Sequence, residues 1–359
     1  MDVMNGGKAK LASCHPDTLS SMAILATTYW LNQGRWDEAE KLQVDVMNGR
    51  KAKLGSDHPD TLSSMANLAT TYWNQGRWDE AEKLQVDVMD GRKAKLGSDH
   101  PDTLSSMANL AATYRHQGRW DDVDKLQVDV MNGRKAKLGS DHPDTLSSMA
   151  ILATTYRNQG RWDEAEKLQV DVMNGRRAKL GSDHPETLSS MANLAMTYWN
   201  QGRWDEAEKL QVDVMNGRKA NLGSDHPDTL TSMANLATTY WNQGRWDEAE
   251  ELQMDVMNGR KAKLGSDHPD TLSSMANLAA TYRHQGRWDD VDKLQVDIMN
   301  GRKANLGSGH PDTLSSMANL AATYRHQGRW DDVDKLQVTS LQLLLVKLTE
   351  VWFSWVLMH

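Results

Sequence analysis

One stretch decides the fold: HPDTLSSMANLATTYWNQGRWDEAEKLQVDVMDGRKAKLGSD, residues 58–99. Nearly the same text restarts every 42 residues, at His100, His142, His184, His226, His268 and His310. An earlier copy begins at His15 and is one residue longer, because Leu31 stands between Trp30 and Asn32. A fixed period of this length is typical of an array of stacked structural repeats.

The first half of each copy predicts an α-helix. Apolar residues recur there at helical spacing, at Leu62, Met65, Leu68, Ala69 and Tyr72. The preceding His-Pro-Asp suits a helix start, since Pro is tolerated and Asp is favourable in the first turn. Gly76 follows Tyr72 by four residues, where a left-handed C-terminal cap is expected.

The second half predicts another helix, which starts at Trp78. Its apolar side carries Ala81, Leu84, Val88 and Met89. Two helices joined by a tight turn cannot bury these stripes alone, so each pair must stack on its neighbours. We therefore expect an all-α protein of sixteen main helices in antiparallel pairs, without a sheet. Gly91 lies inside the second helix, and its replacement by Ala is expected to raise stability by ~1 kcal/mol if the helix continues through it.

The offsets of Met65, Leu68, Ala69, Tyr72, Gly76, Trp78 and Ala81 resemble the tetratricopeptide repeat. The linking text KLGSDHPDTL and the 42-residue length resemble the kinesin light chain and nephrocystin type, and most closely the repeat tails of fungal NB-ARC (NLR-like) proteins. The resemblance implies a right-handed superhelical solenoid whose first helices line a concave groove. Gln85 departs from the pattern, because the family often has a large or aromatic residue there.

The domain organisation follows from the period. Residues 1–14 copy the end of a repeat and are interpreted as a truncated second helix. Eight tandem repeats follow, at 15–57, 58–99, 100–141, 142–183, 184–225, 226–267, 268–309 and 310–338. The apolar tail 339–359 is interpreted as a capping helix or a read-through sequence. A membrane anchor is the alternative, but Lys347 and Glu350 interrupt an apolar run shorter than the ~20 residues that a span needs.

Composition and motifs indicate a protein without catalysis or cofactors. The formal net charge of -8 argues against a nucleic-acid partner, which needs clustered positive charge. Cys14 is the single cysteine, as in proteins of a reducing compartment, and we expect a cytoplasmic location. Nucleotide-loop and hydrolase motifs are missing. The repeated His-Pro-Asp sites are spread along the array, which favours a helix start over a metal or acid–base site.

The differences between copies indicate a binding surface on the first helix of each repeat. One position carries Asn67, Asn109, Asn193, Asn235, Asn277 and Asn319, whose amides suit a ligand's main chain. A second position carries Trp73, Arg115, Arg157, Trp199, Trp241, Arg283 and Arg325. His116, His284 and His326 follow three of these arginines. We expect this surface to bind an extended peptide, with acidic or phosphorylated residues near Arg115 and Arg157 and apolar anchors near Trp199 and Trp241.

Two alternatives remain open for these residues. The Trp and Arg side chains could pack against the neighbouring first helix. Alternatively, the alternation of Trp and Arg could have arisen because whole stretches of sequence were duplicated together. The preferred function is a protein-interaction scaffold with a protein or peptide partner, and the resemblance to NB-ARC proteins implies the recognition tail of such a sensor. A kinesin-light-chain-like cargo adaptor is the alternative. An enzyme or an RNA-binding solenoid is disfavoured by the missing motifs and the negative charge.

Overall fold

A computed structural model describes residues 15–33 and 35–338 of the chain. These residues form fifteen complete α-helices and the beginning of a sixteenth, and no strand occurs among them. The all-α prediction is thereby confirmed. The predictions for residues 1–14 and 339–359 lie outside the described residues.

The helices alternate between the first and second halves of the copies. The first helices are α1 Pro16–Gln33, α3 Pro59–Asn74, α5 Pro101–His116, α7 Pro143–Asn158, α9 Pro185–Asn200, α11 Pro227–Asn242, α13 Pro269–His284 and α15 Pro311–His326. The second helices are α2 Trp36–Leu54, α4 Trp78–Leu96, α6 Trp120–Leu138, α8 Trp162–Leu180, α10 Trp204–Leu222, α12 Trp246–Leu264 and α14 Trp288–Leu306. The sixteenth helix begins at Trp330. The chain divides into two compact units, Met1–Lys179 and Leu180–His359, and each is described separately.

The ends of the helices are capped as the sequence predicts. His58 is the N-cap of α3, and its Nδ1 accepts a hydrogen bond from the backbone N–H of Asp60 at 3.2 Å. Pro59 fills the first helical position, where a missing N–H costs nothing. At the other end Gly76 has a φ of 75°, and the N–H of Arg77 donates to the carbonyl of Tyr72 at 2.9 Å. This left-handed turn satisfies the last carbonyls of α3 and directs the chain into α4.

The hydrophobic core of a copy includes residues from its neighbour. Leu62 and Met65 of α3 form a buried cluster with Val88 of α4, and Met47 of the preceding α2 packs against it. Within each unit every helix packs on the next one along the chain, from α1 to α7 and from α9 to α15. Stacking of the copies therefore completes the burial that one helix pair cannot achieve alone.

The glycine inside each second helix marks the closest approach of the two helices of a pair. Gly91 continues α4 without a positive φ, so the helix is not broken there. A Cβ built on Gly91 lies 2.9 Å from one methyl carbon of Leu62 and 3.1 Å from the other. Leu62 is near the start of α3 and Gly91 near the end of α4, so the helices run antiparallel. An Ala side chain at this position would therefore meet the Leu62 methyl groups, a contact that the expectation of a stabilising Ala did not include.

We expect Gly91→Ala to lower the thermal midpoint of unfolding. The gain in helix propensity is ~1 kcal/mol, while overpacking a core costs ~1–3 kcal/mol. The net loss should be about 1 kcal/mol in the free energy of unfolding. Asp90→Ala, at the exposed neighbouring position, is the control and should leave the midpoint nearly unchanged. A midpoint raised by Gly91→Ala would contradict the close contact with Leu62.

Candidate functional site

The predicted asparagines lie at one position of the first helices. Asn67, Asn109, Asn277 and Asn319 are exposed, whereas Asn193 and Asn235 are half-buried. Two copies carry isoleucine instead, and Ile24 and Ile151 are 69% and 49% exposed. Within either unit, we call the surface formed by these positions the Asn face of that unit. It presents amides to solvent at most copies and an apolar side chain at two.

The Trp or Arg position lies six residues further along each first helix. Arg115, Arg283 and Arg325 are exposed, while Trp73, Trp199, Trp241 and Arg157 are half-buried. Burial lowers the pKa of the Arg157 guanidinium from its ordinary value. An arginine remains charged at neutral pH, so Arg157 is a partly desolvated cation on which an anion would be stabilised.

The three predicted histidines stack on tryptophans of the preceding copy. The ring of His116 lies 5.1 Å from that of Trp73, edge to face, and 5.2 Å from that of Trp78, nearly parallel. His284 is held in the same way, with Trp241 at 5.0 Å and Trp246 at 5.4 Å. His326 stacks on Trp288 at 4.4 Å. These rings therefore connect neighbouring copies, as the packing alternative for the tryptophans requires.

Two pockets occur on the Asn face, at equivalent places in the two units. One lies between α5, α6 and α7, has a volume of about 330 Å³ and is lined by Ala108, Ala112, Arg115, Gln127, Val130, Arg134, Ser148 and Ile151. Its counterpart between α13, α14 and α15 has about 100 Å³. Each pocket lies beside a first helix that differs from α3 at two positions. Where α3 has Thr70 and Trp73, α5 has Ala112 and Arg115, and α13 has Ala280 and Arg283. The smaller side chains leave space beside the arginine.

A buried hydrogen bond connects successive copies beneath this face. Thr113 of α5 is fully buried, and its Oγ1 donates to Oε1 of Gln85 in α4 at 2.7 Å. Five such bonds are described, from Thr71 to Gln43, Thr113 to Gln85, Thr239 to Gln211, Thr281 to Gln253 and Thr323 to Gln295. The departure of Gln85 from the family pattern is thus explained. Sequence reasoning did not find this hydrogen-bonded pair, although Thr113 and Gln85 are polar residues on the otherwise apolar faces of their helices.

The pocket between α5 and α7 interrupts this series. Gln127 is only 7% exposed, yet its Oε1 has no hydrogen-bond partner. The matching Thr155 donates instead to the backbone carbonyl of Ile151 at 3.2 Å. Gln127 therefore lines the pocket with an amide whose buried Oε1 is unpaired.

Arginines hold the edges of the copies together. The guanidinium of Arg77 lies 4.2 Å over the ring of Tyr72 and donates to Glu80 at 2.7 Å and to Glu40 of the preceding copy at 2.8 Å. These bonds raise the pKa of Arg77, and the bond from Arg77 lowers the pKa of Glu80. An arginine of this type covers its tyrosine in all eight copies. Such arginines serve packing between copies.

A second arginine crosses to the next copy from the ends of six described second helices. Nη1 of Arg134 in α6 donates to Ser148 Oγ at 2.7 Å and to the backbone carbonyl of Asp144 at 3.3 Å, both in α7. Equivalent bonds join Arg92 to Ser106 and Arg218 to Ser232. A guanidinium has five N–H donors, so Arg134 keeps further donors for the pocket it lines.

The described residues contain neither a metal-ligand cluster nor a membrane-spanning helix. Among them, no three His, Cys, Asp or Glu side chains come together in a group that could hold a metal ion. No helix in the described ranges is long and apolar enough to cross a bilayer.

Comparison with family models identifies the repeats. Residues 18–60, 61–102 and 103–144 match one model described as the tetratricopeptide repeat. Residues 144–220, 190–262, 235–295 and 277–344 match another model of the same description. A comparison with curated proteins gives no significant match.

Solved structures share the fold. The crystal structure of a Podosopora anserina putative kinesin light chain with nearly identical TPR-like repeats is 32% identical, with a TM-score of 0.53 over 58% of this chain and 98% of that chain. A STAND protein with a tetratricopeptide repeat sensor from Pyrococcus horikoshii has a TM-score of 0.62 at 13% identity, over 92% of this chain and 49% of that one. The apo quorum sensor NprR from B. thuringiensis has a TM-score of 0.61 at 13% identity, over 96% and 92%.

We expect Thr113→Val to destabilise the chain by ~1–3 kcal/mol, because the buried Gln85 Oε1 then loses its donor. Thr155→Val is the matched control. It removes only a bond to the carbonyl of its own helix, and its cost should stay below ~1 kcal/mol. Urea unfolding midpoints of the full chain, followed by circular dichroism, compare the two variants. Equal losses would show that the Thr–Gln bond contributes nothing between copies.

Proposed function

Because the chain belongs to the tetratricopeptide repeat family, we propose that it is a non-catalytic scaffold which binds an extended peptide or partner segment along the Asn face. The observation that carries this proposal is the repeated exposure of asparagine at one position of successive first helices. Each amide offers a donor and an acceptor, which suits the main chain of a ligand whatever its sequence.

The Trp and Arg position supplies preference along the ligand. Arg115 and Arg157 follow one another in α5 and α7, and the desolvation of Arg157 favours an anionic residue opposite them. Trp199 and Trp241 follow one another in α9 and α11, where an apolar or aromatic anchor gains most. Arg283 and Arg325 repeat the cationic pair further along the second unit. Three of these arginines are followed by a histidine that stacks on a tryptophan of the preceding copy, at His116, His284 and His326. The exposed edges of these rings contact the ligand.

The cellular role that we propose is recognition within a larger signalling assembly. The similarity to a STAND protein whose repeats are described as a sensor supports an NB-ARC type recognition tail as the first candidate. The 32% identity with a putative kinesin light chain favours a cargo adaptor as the second. We place either role in the cytoplasm, which agrees with the single cysteine of the chain.

Selection from a random peptide library on the full chain tests the proposal. The selected peptides should bind the parent and lose about tenfold or more in affinity on Asn109→Ala/Asn193→Ala, since each lost hydrogen bond contributes ~0.5–1.5 kcal/mol. Arg115→Glu/Arg157→Glu should abolish any preference for acidic residues, because the sign of the local charge is reversed.

Asn132→Ala/Asn216→Ala is the matched control, because these exposed asparagines lie on second helices. Circular dichroism checks that every variant is folded. The Asn face is not the binding surface if two variants, Asn109→Ala/Asn193→Ala and Arg115→Glu/Arg157→Glu, are both folded and keep the parent's affinity and preference.

A further inference from the structure

The pocket between α5 and α7 differs from its counterpart at two lining positions, of which Val130 corresponds to Ile298. Ile151 stands where the counterpart has Asn319, and the pocket volume is about 330 Å³ against about 100 Å³. A cavity of about 150 Å³ is enough for a benzene ring. The α5–α7 pocket therefore has room for an aromatic ring and more, whereas the counterpart does not.

The lining of this pocket is amphipathic. Ala112, Val130 and Ile151 supply an apolar wall against which a ring can pack. Arg115 and Arg134 supply cationic donors on the same pocket, and its lining contains no acidic residue. A pocket with two guanidinium groups and no carboxylate favours an anion through charge-assisted hydrogen bonds.

Gln127 is the second, independent indication of a ligand. Gln127 lines the pocket and its buried Oε1 has no hydrogen-bond partner, while Gln295 at the equivalent place accepts a bond from Thr323. A buried amide left without a partner costs free energy that a bound group can recover. Either a ligand N–H donates to Oε1, or the amide turns and donates its own N–H to an anionic oxygen.

We propose that this pocket binds an aromatic side chain that carries an anionic head group, as phosphotyrosine and sulfotyrosine do. The ring packs against Ile151, Val130 and Ala112, and the anionic oxygens accept hydrogen bonds from Arg115 and Arg134. The proposal rests on the proposed function, because it assigns the anchoring residue of a peptide that lies along the Asn face.

Fluorescence anisotropy of the full chain with labelled peptides tests this assignment. The peptides share their flanking residues, taken from a library-selected binder, and carry phosphotyrosine, sulfotyrosine, tyrosine, glutamate or phosphoserine at the central position. We expect the affinity of the two anionic aromatic peptides to be at least about tenfold higher than that of the other three, since the ring and the anion each contribute. The ratio between phosphotyrosine and sulfotyrosine identifies which head group is preferred.

Substitutions that the chain itself uses at equivalent positions should fill the pocket or remove part of its apolar wall without unfolding the chain. Ala112→Thr copies Thr70, and Ile151→Asn copies Asn319. Each should remove about tenfold of the affinity for the anionic aromatic peptides, and a smaller part of the affinity for the tyrosine peptide, whose ring packs on the same wall. Ala280→Thr makes the same change beside the smaller pocket and should have no effect on any peptide.

The outcomes separate the two proposals. If library peptides bind and respond to Asn109→Ala/Asn193→Ala, but anionic aromatic peptides gain nothing over tyrosine and glutamate, the pocket assignment is overturned and the scaffold function stands. Equal effects of Ala112→Thr and Ala280→Thr overturn it as well. If no peptide binds at all, both proposals fail.

Discussion

The close contact between the two helices of each pair is the constraint on which the repeat depends. The missing side chain of Gly91 lets α4 approach the methyl groups of Leu62 in α3, and the same contact recurs at Gly49, Gly133, Gly175, Gly217, Gly259 and Gly301. This approach brings Val88 onto Leu62 and Met65, and leaves a surface that Met47 of the preceding copy covers. A bulkier residue would have to displace the Leu62 side chain from this contact.

Between copies, polar groups add specificity to apolar stacking. The Thr113–Gln85 bond is buried and short, so a neighbouring copy packed out of register would leave two polar groups unpaired. Arg134 ties the end of α6 to Ser148 and to the start of α7. These bonds lie at fixed offsets along the chain, which means that each copy specifies the position of the next as well as its own fold.

Function and packing share residues on the Asn face. His116 stacks on Trp73 and Trp78 of the preceding copy. The change from Trp73-Asn74 to Arg115-His116 in the next copy therefore alters both the exposed surface and the contact beneath it. In the same copy, Val123 stands at the position that Ala81 occupies in the preceding copy, and it clusters with the buried Tyr114. These residues therefore pack as one unit, which is a physical reason for them to occur together in a copy.

The sequence alone determined the class of the fold, the helix pairs, their caps and the stacking. Period, apolar spacing and the residues His58, Pro59 and Gly76 act locally along the chain, and local backbone preferences can be read from neighbouring residues. The tertiary structure decided whether Gly91 tolerates a side chain, which acceptor Thr113 finds 28 residues away, and where a pocket opens beside Arg115. Those properties depend on distances between helices from different copies. Helical periodicity predicts which face is buried, but not how closely two buried faces approach or which polar groups meet there.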